Sequence, residues 1–169
     1  MKSGKGLIRA ANKQGVASGK TAVAERSTGR LKEPTACERC GAVFSGRTWR
    51  RDHPVTAALL DRAVWKRCPA CTQRAEGTYW GRVVIRGAFV AANEAAIRQR
   101  VLNVAEQAEG TQPMRRLVAM ERDGEALEVL TTSQKLAHRV ARELKKAFRG
   151  RATYKWSDDG SLYAVWERD

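Results

Sequence analysis

The sequence lacks any apolar run of about 18 residues, which excludes a chain whose helices cross a bilayer. Residues 1–30 also lack the apolar core of a secretion signal. Acidic residues are few, with 18 Asp and Glu against 32 Lys and Arg, and there are only two histidines. We therefore expect a cytoplasmic protein with no membrane partner, in a compartment that keeps thiols reduced.

Known catalytic signatures are absent as well. The chain has no Walker-type loop, no G-x-S-x-G elbow, no H-E-x-x-H pair and no dinucleotide fingerprint. No pair of acidic residues lies in the apolar setting that general acid–base catalysis favours. We expect a protein that is not an enzyme. An enzyme with an unrecognised site stays an alternative for which the sequence offers no residue.

All four cysteines of the chain fall into two Cys-x-x-Cys pairs, Cys37 with Cys40 and Cys68 with Cys71. Thiolates are soft ligands, and zinc takes four ligands in a tetrahedron. A gap of two residues lets both sulfurs of a pair face one ion from a tight turn, for which Gly41 supplies backbone freedom. The sequence predicts a structural Zn²⁺ site in a zinc ribbon, with no position open for a catalytic water.

Three other uses of the cysteines are weaker alternatives. A redox Cys-x-x-Cys normally stands alone near a βαβ pattern. Disulfides suit a secreted protein, and iron–sulfur clusters use other familiar spacings. His53 could replace one cysteine as a ligand, but four cysteines already complete the set.

The formal net charge of +14, with a pI near 10.3, makes a polyanion the first partner to consider. Nucleic acid fits this charge better than an anionic membrane surface does. The net charge is +6 in residues 1–34, +5 in residues 35–75 and +3 in residues 76–169. These ranges are also the predicted divisions of the chain: a flexible basic arm, a four-cysteine zinc module and an α+β domain. The arm is expected either to be a solvated tail or to order along phosphates.

The segment between the cysteine pairs interleaves cations with an aromatic ring, at Arg47, Trp49, Arg50 and Arg51. The arginines could hold phosphates while the ring stacks on a base, or Trp49 could fill the core of the module. A short helix is expected from residue 55 to about residue 65, and Trp65 is expected to fill that core.

Residues 79–168 predict strand, helix, strand, strand, helix, strand, strand. Asn93 is the expected N-cap of the first helix, and Gly110 is expected to end it in the left-handed conformation. This order indicates a ferredoxin-like βαββαβ domain with an extra C-terminal strand at the edge of its sheet.

The second helix of this domain is strongly amphipathic, with Leu136, Val140, Leu144 and Phe148 spaced by four. Its opposite side carries a basic stripe that could be an ordinary solvated face or a second phosphate contact. The stripe consists of Lys135, Arg139, Arg142, Lys146 and Arg149.

The chain resembles the zinc-binding large-ribosomal-subunit export adaptor proteins and their small bacterial and archaeal relatives in three features. These are Cys-x-x-Cys-Gly at residues 37–41, the returning Cys-x-x-Cys, and the helix pattern Ser-x-x-Leu-Ala-x-x-x-Ala from Ser133. The resemblance covers about residues 37–156. It implies that the four cysteines hold zinc and that the protein contacts ribosomal RNA. We expect this short chain not to contain the further domains of that family, so the resemblance does not imply an export role.

The leading hypothesis is a zinc-stabilised RNA-binding protein that associates with the ribosome, with ribosomal RNA and ribosomal proteins as partners. A DNA-binding or transcription-related zinc ribbon is the first alternative. A protein–protein adaptor whose charge serves solubility is the second.

Overall fold

The computed structural model describes residues 29–52 and 54–169. Residues 1–28 of the predicted basic arm lie outside this part, and so does His53. The described chain forms two sheets, one within residues 35–65 and one within residues 81–167. The protein is therefore a mixed α+β protein, as the sequence predicted.

The first sheet is built from strands of only two or three residues, in the order β3-β2-β1-β4. Two short helices belong to the same part of the chain. The elements are β1 (Thr35–Ala36), β2 (Val43–Ser45), β3 (Thr48–Arg50), α1 (Ala57–Arg62), β4 (Val64–Trp65) and α2 (Pro69–Glu76). Helix α1 is shorter than predicted because the Thr56 side chain caps it at Leu59 N and residues 64–65 pair with β1 as β4.

The second sheet has five longer strands in the order β6-β7-β5-β9-β8, with two helices. Its elements are β5 (Gly81–Arg86), α3 (Ala88–Thr111), β6 (Leu117–Asp123), β7 (Ala126–Thr131), α4 (Gln134–Phe148), β8 (Arg151–Trp156) and β9 (Leu162–Glu167). Both helices bury apolar residues against the same face of the sheet, where Val83, Ile85, Val129 and Trp166 are fully buried.

The extra C-terminal strand is not at the edge, and that part of the prediction is wrong. Strand β9 pairs in parallel with β5 and antiparallel with β8, so it separates two strands that would be neighbours in a ferredoxin-like sheet. The physical reason lies in the side chains. Leu162, Ala164 and Trp166 of β9 are all buried at 1% exposure or less, whereas β8 is largely exposed. The more apolar strand takes the interior position.

Two predicted boundaries of α3 are also wrong. The helix begins at Ala88, after Gly87, which has a φ of 114°. A Cβ at position 87 would lie 2.0 Å from the Arg168 carbonyl oxygen, so only glycine fits there. Asn93 is not the N-cap but a kink inside the helix, and its amide donates to Phe89 O at 2.9 Å. Gly110 lies within the helix and does not adopt a positive φ.

Helix α4 confirms the amphipathic prediction. The Ser133 hydroxyl accepts a hydrogen bond from Lys135 N and caps the N-terminus. Leu136, Val140 and Leu144 are each 1% exposed. Because this side of α4 lies on the sheet, the polar side of the helix must face away from it.

Candidate metal centre and nucleic-acid interface

The four cysteine sulfurs come together as the spacing predicted. The Sγ atoms of Cys37, Cys40, Cys68 and Cys71 all lie within 4.8 Å of one another, and no disulfide joins them. The Sγ atoms of Cys40 and Cys68 are 3.8 Å apart. A tetrahedron with metal–sulfur bonds of about 2.3 Å has edges of about 3.8 Å. The donor set and its spacing therefore fit a metal ion held by four thiolates.

Local structure places each pair of sulfurs. Gly41 turns the chain at φ 73°, which lets Cys37 N donate to Ala42 O at 2.8 Å. Cys68 is the N-cap of α2, and its sulfur accepts from Cys71 N at 3.4 Å. Cys68 N in turn donates to Cys37 Sγ at 3.3 Å. Backbone N–H groups thus donate to the sulfurs of Cys37 and Cys68 and fix them where a metal ion would need them.

The chain falls into a first sheet region, residues 35–76, which holds the first sheet and helices α1 and α2, and a second sheet region, residues 81–167. A guanidinium from the second sheet region completes the surroundings of the sulfurs. Arg116 is 2% exposed and donates through Nη1 to Cys71 Sγ at 3.3 Å and through Nη2 to Cys40 Sγ at 3.1 Å. Its Nε donates to Pro113 O at 2.6 Å, and Glu109 lies 3.5 Å away. Four thiolates around a divalent ion carry a net charge of −2, so a fixed cation bridging one sulfur of each pair offsets part of it.

The same contacts set the ionisation of the thiols. Burial raises the pKa of Cys40, but the hydrogen bond from Arg116 and neighbouring donors outweigh it and bring that pKa down to about 6. Burial raises the pKa of Cys68 and of Cys71. Burial acts to lower the pKa of Arg116, but the sulfur contacts, Cys40 first, raise it overall, so this guanidinium stays charged.

The two tryptophans of this region differ: Trp49 takes the core position that was one of its two predicted roles, and Trp65 does not. Trp65 is 54% exposed, so the prediction that it fills the core is wrong. Trp49 packs against the cysteine cluster, and its ring centroid lies 5.5 Å from that of Phe44. Trp65 belongs to β4, a strand of two residues at the edge of the first sheet, and both residues of that strand are exposed.

The arginines of the predicted RNA-contact loop lie on the surface beside this core. Gly46 and Arg47 form the β2–β3 turn, and the Glu33 carboxylate accepts from their N–H groups at 2.9 and 3.1 Å. Arg50 is exposed at the end of β3. Arg51 pairs with Glu109 of α3 at 2.8 Å. The loop is thus held at both ends, by Glu33 and by α3.

The basic stripe of α4 is exposed except at Arg139, which is half-buried. Arg139 donates to Gln107 of α3 at 3.1 Å, while Arg142 lies 3.9 Å from Glu143. Arg149 follows the helix with φ 64°, so the stripe continues past the last turn. Four cations line a surface depression at this end: Arg142, Lys145, Lys146 and Arg149.

The two predicted cationic sets do not merge into one cluster. Arg51 reaches Glu109, and Arg139 reaches Gln107, on the same helix. Residues two apart on a helix point about 200° apart. The loop and the stripe therefore lie on opposite sides of the C-terminal turns of α3.

A third cationic depression lies beside the metal centre and was missed by the sequence reasoning. Arg39, Arg67 and Arg74 line it next to Cys71. Glu38 lies 3.9 Å from Arg67. The signal was present, because Arg39 lies inside one cysteine pair and Arg67 directly precedes the other. Because the metal site brings the two cysteine pairs together, it also brings Arg39 close to Arg67.

Within the described ranges no helix combines the length and the apolar character that crossing a membrane requires.

Comparison with protein-family models, with curated proteins and with solved structures finds no match to this chain. The resemblance to ribosomal export adaptors therefore stays a prediction that depends on its own motifs, above all the four cysteines.

Proposed function

We propose that this is a non-enzymatic, zinc-stabilised RNA-binding protein that associates with the ribosome in the cytoplasm. The observation that carries the proposal is the depression at the C-terminal end of α4. Four cations line it, and the nearest carboxylate to any of them in the described chain is Glu143, 3.9 Å from Arg142. Phosphate groups are the partner that such a concentration of uncompensated charge favours.

The ion pairs of the second sheet region support the same proposal. Elsewhere on the second sheet region, arginines lie against carboxylates, as Arg82 does with Glu128, Arg86 with Glu167 and Arg100 with Glu143. Part of the charge at the end of α4 complements the helix dipole, which favours cations near the C-terminus. The dipole acts within the last turn, so it does not account for Lys135, Arg139 or Arg142.

The metal that we propose is zinc, held by the four cysteines. It would supply structure rather than reaction chemistry, because four thiolates leave no position for water or substrate. The small core around it depends on the sulfurs: among the described residues, its buried members besides three of the cysteines are only Ala42 and Ala70. Metal binding would therefore stabilise the first sheet region, and with it the loop that carries Arg47, Arg50 and Arg51.

RNA is proposed over DNA because the cysteine motifs and the Ser133 helix resemble proteins that contact ribosomal RNA. A DNA-binding ribbon and a protein adaptor are then outcomes that experiments separate. The matched variants are Arg142→Glu/Lys146→Glu on α4 and Arg62→Glu/Lys66→Glu on the exposed side of the metal module, because both pairs change the net charge equally.

We expect the α4 pair to weaken binding to structured RNA by more than about tenfold and to lower the salt dependence of binding by about two phosphate contacts. The control pair should change affinity only slightly, through long-range charge. Equal losses in both variants would indicate nonspecific attraction and contradict the proposal. Tighter binding to duplex DNA than to RNA in the same titration would favour the DNA alternative.

Ribosome association is tested separately, by sedimentation of tagged protein from growing and from starved cells through a sucrose gradient. We expect wild-type protein to travel with ribosomal particles and the Arg142→Glu/Lys146→Glu variant to remain near the top. Wild-type protein that migrates freely under both conditions would count against the ribosomal partner while leaving RNA binding to be judged by the titration.

A further inference from the structure

We propose that the RNA segment held at α4 is single-stranded, with its bases stacked on Tyr154 and Trp156 of the edge strand β8. This inference rests on the proposed function and specifies the form of RNA that the same surface takes. Neither ring was among the residues that the sequence indicated as RNA contacts.

The strand register puts both rings on the side of the sheet that carries α4. Tyr154 pairs with Ala164 and Trp156 with Leu162, and both β9 partners are buried beneath the helices. Directly paired residues share a face of the sheet. Yet Tyr154 is 38% and Trp156 is 57% exposed, because β8 lies at the edge, past the flank of α4. Two aromatic rings are therefore left open to solvent beside a helix rich in cations.

Contacts with α4 hold the first ring in place. The Tyr154 and His138 rings lie 4.6 Å apart between centroids with their planes inclined by 31°. Burial raises the pKa of Tyr154, while the positive charge of Arg142 opposes that rise. A ring already fixed by its neighbours loses little side-chain entropy when a base stacks on it.

The order of groups along β8 matches an extended strand of nucleic acid. Gly150 and Arg149, which line the cationic depression, immediately precede β8, Tyr154 lies in the middle of the strand and Trp156 at its end. Residues two apart in a strand are separated by about 6.6 Å along it, so the rings can serve as two separate stacking surfaces. Phosphates at the depression would then be followed by bases over Tyr154 and Trp156.

Single strands are favoured over duplexes for a chemical reason. Bases in a duplex are already stacked on one another, and only unpaired bases offer a free face to an aromatic side chain. Cations without rings would serve either form of RNA equally. The exposed rings are thus the feature that distinguishes the two.

The test uses full-length protein and fluorescence anisotropy with a labelled single-stranded RNA of about 12 nucleotides, a length within known single-strand sites. A perfectly paired RNA duplex of the same composition is the second probe. Trp156→Ala and Tyr154→Ala are compared with Trp65→Ala, because Trp65 is about as exposed as Trp156 but belongs to the other sheet. Circular dichroism of each variant establishes that the fold is retained.

We expect each β8 variant to weaken binding of the single strand by about 5- to 100-fold. Binding of the duplex should change less than about twofold, as should binding of either probe by Trp65→Ala. The salt dependence should stay that of wild type, since no charge is removed. Trp156→Phe should retain most of the affinity, because it keeps an aromatic face.

Failure of this inference differs from failure of the proposed function. If wild-type protein binds neither probe, the proposed function is wrong and this site is lost with it. If wild-type protein binds RNA but Trp156→Ala and Tyr154→Ala bind the single strand unchanged, only the stacking site is overturned. Equal losses for single strand and duplex would likewise contradict it.

Discussion

The Nη2 atom of Arg116 donates to the sulfur of Cys40 at 3.1 Å, across 76 positions of the sequence. The second hydrogen bond, to Cys71, makes one guanidinium bridge a sulfur from each cysteine pair. Arg116 directly precedes β6 of the five-stranded sheet, while both sulfurs belong to the first sheet region. A single buried side chain therefore links the metal centre to the larger part of the protein.

Replacing Arg116 tests that link. With Arg116→Ala, the thiolates lose two charge-assisted donors, and partners just outside a metal's ligands contribute roughly 10- to 100-fold in metal affinity. We expect zinc affinity to fall by about that factor, measured by competition with a chromophoric chelator. The free energy of unfolding should fall by about 3 kcal/mol, since a charged network has lost its cation.

Arg115→Ala is the matched control for Arg116. Its neighbour Arg115 is partly exposed and makes no contact with the sulfurs in the described structure. It should leave zinc affinity unchanged. Equal zinc affinity in the Arg116 and Arg115 variants would contradict a role for Arg116 at the metal centre.

The metal centre was predictable because its information is local. Two residues between cysteines and the Gly41 turn set each pair, so spacing alone placed four ligands. Arg116 was not predictable, because its contact with Cys40 depends on how two sheets pack and leaves no periodic signal. The sequence predicted that Tyr154 and Trp156 lie in a strand. It did not predict that their rings are exposed.

Sheet order shows the same limit. The order of strands and helices predicted for residues 79–168 is the observed one. Which strand lies beside β5 is decided by burial in three dimensions. Trp166 fits between α3, α4 and the sheet, with its Nε1 donating to Arg149 O at 2.9 Å. The sequence pattern of β8 or of β9 taken alone does not show which of them takes the interior position beside β5.

Metal removal should loosen the two sheets unequally. In the described ranges, the buried apolar residues of the first region outside the cysteine cluster form a cluster of only Ala36, Val43 and Leu59, whereas 17 buried residues form the core of the second region. We expect a strong chelator to abolish amide hydrogen-exchange protection in residues 35–75 while β5, β7 and β9 remain protected. Exchange mass spectrometry with and without chelator measures this. Simultaneous loss of protection in both sheets would show a single cooperative unit instead.

Arg50→Glu gives the cleanest test of the predicted loop contact. Arg51 is paired with Glu109, so its replacement would also detach the loop from α3. Arg50 is exposed and takes part in no ion pair of the described residues. If the loop holds a phosphate, the slope of log affinity against log salt should fall by about 0.7 to 0.9. Lys66→Glu, with the same charge change, should leave the slope as in wild type; the same slope for Arg50→Glu would remove the loop from the interface.

Replacement by alanine should have opposite effects at two glycines, Gly87 before α3 and Gly110 within it. A Cβ at Gly87 would lie 2.0 Å from Arg168 O, at a φ of 114°. Gly87→Ala should therefore destabilise the protein by about 2 kcal/mol or more, through strain and displacement of the chain after β9. At Gly110 a Cβ meets nothing within 4 Å, and the residue is helical. Alanine there should stabilise by about 0.5 to 1 kcal/mol. Chemical denaturation of both variants measures the difference. If Gly110→Ala destabilised the protein, α3 would end at a left-handed glycine, as its sequence pattern first indicated.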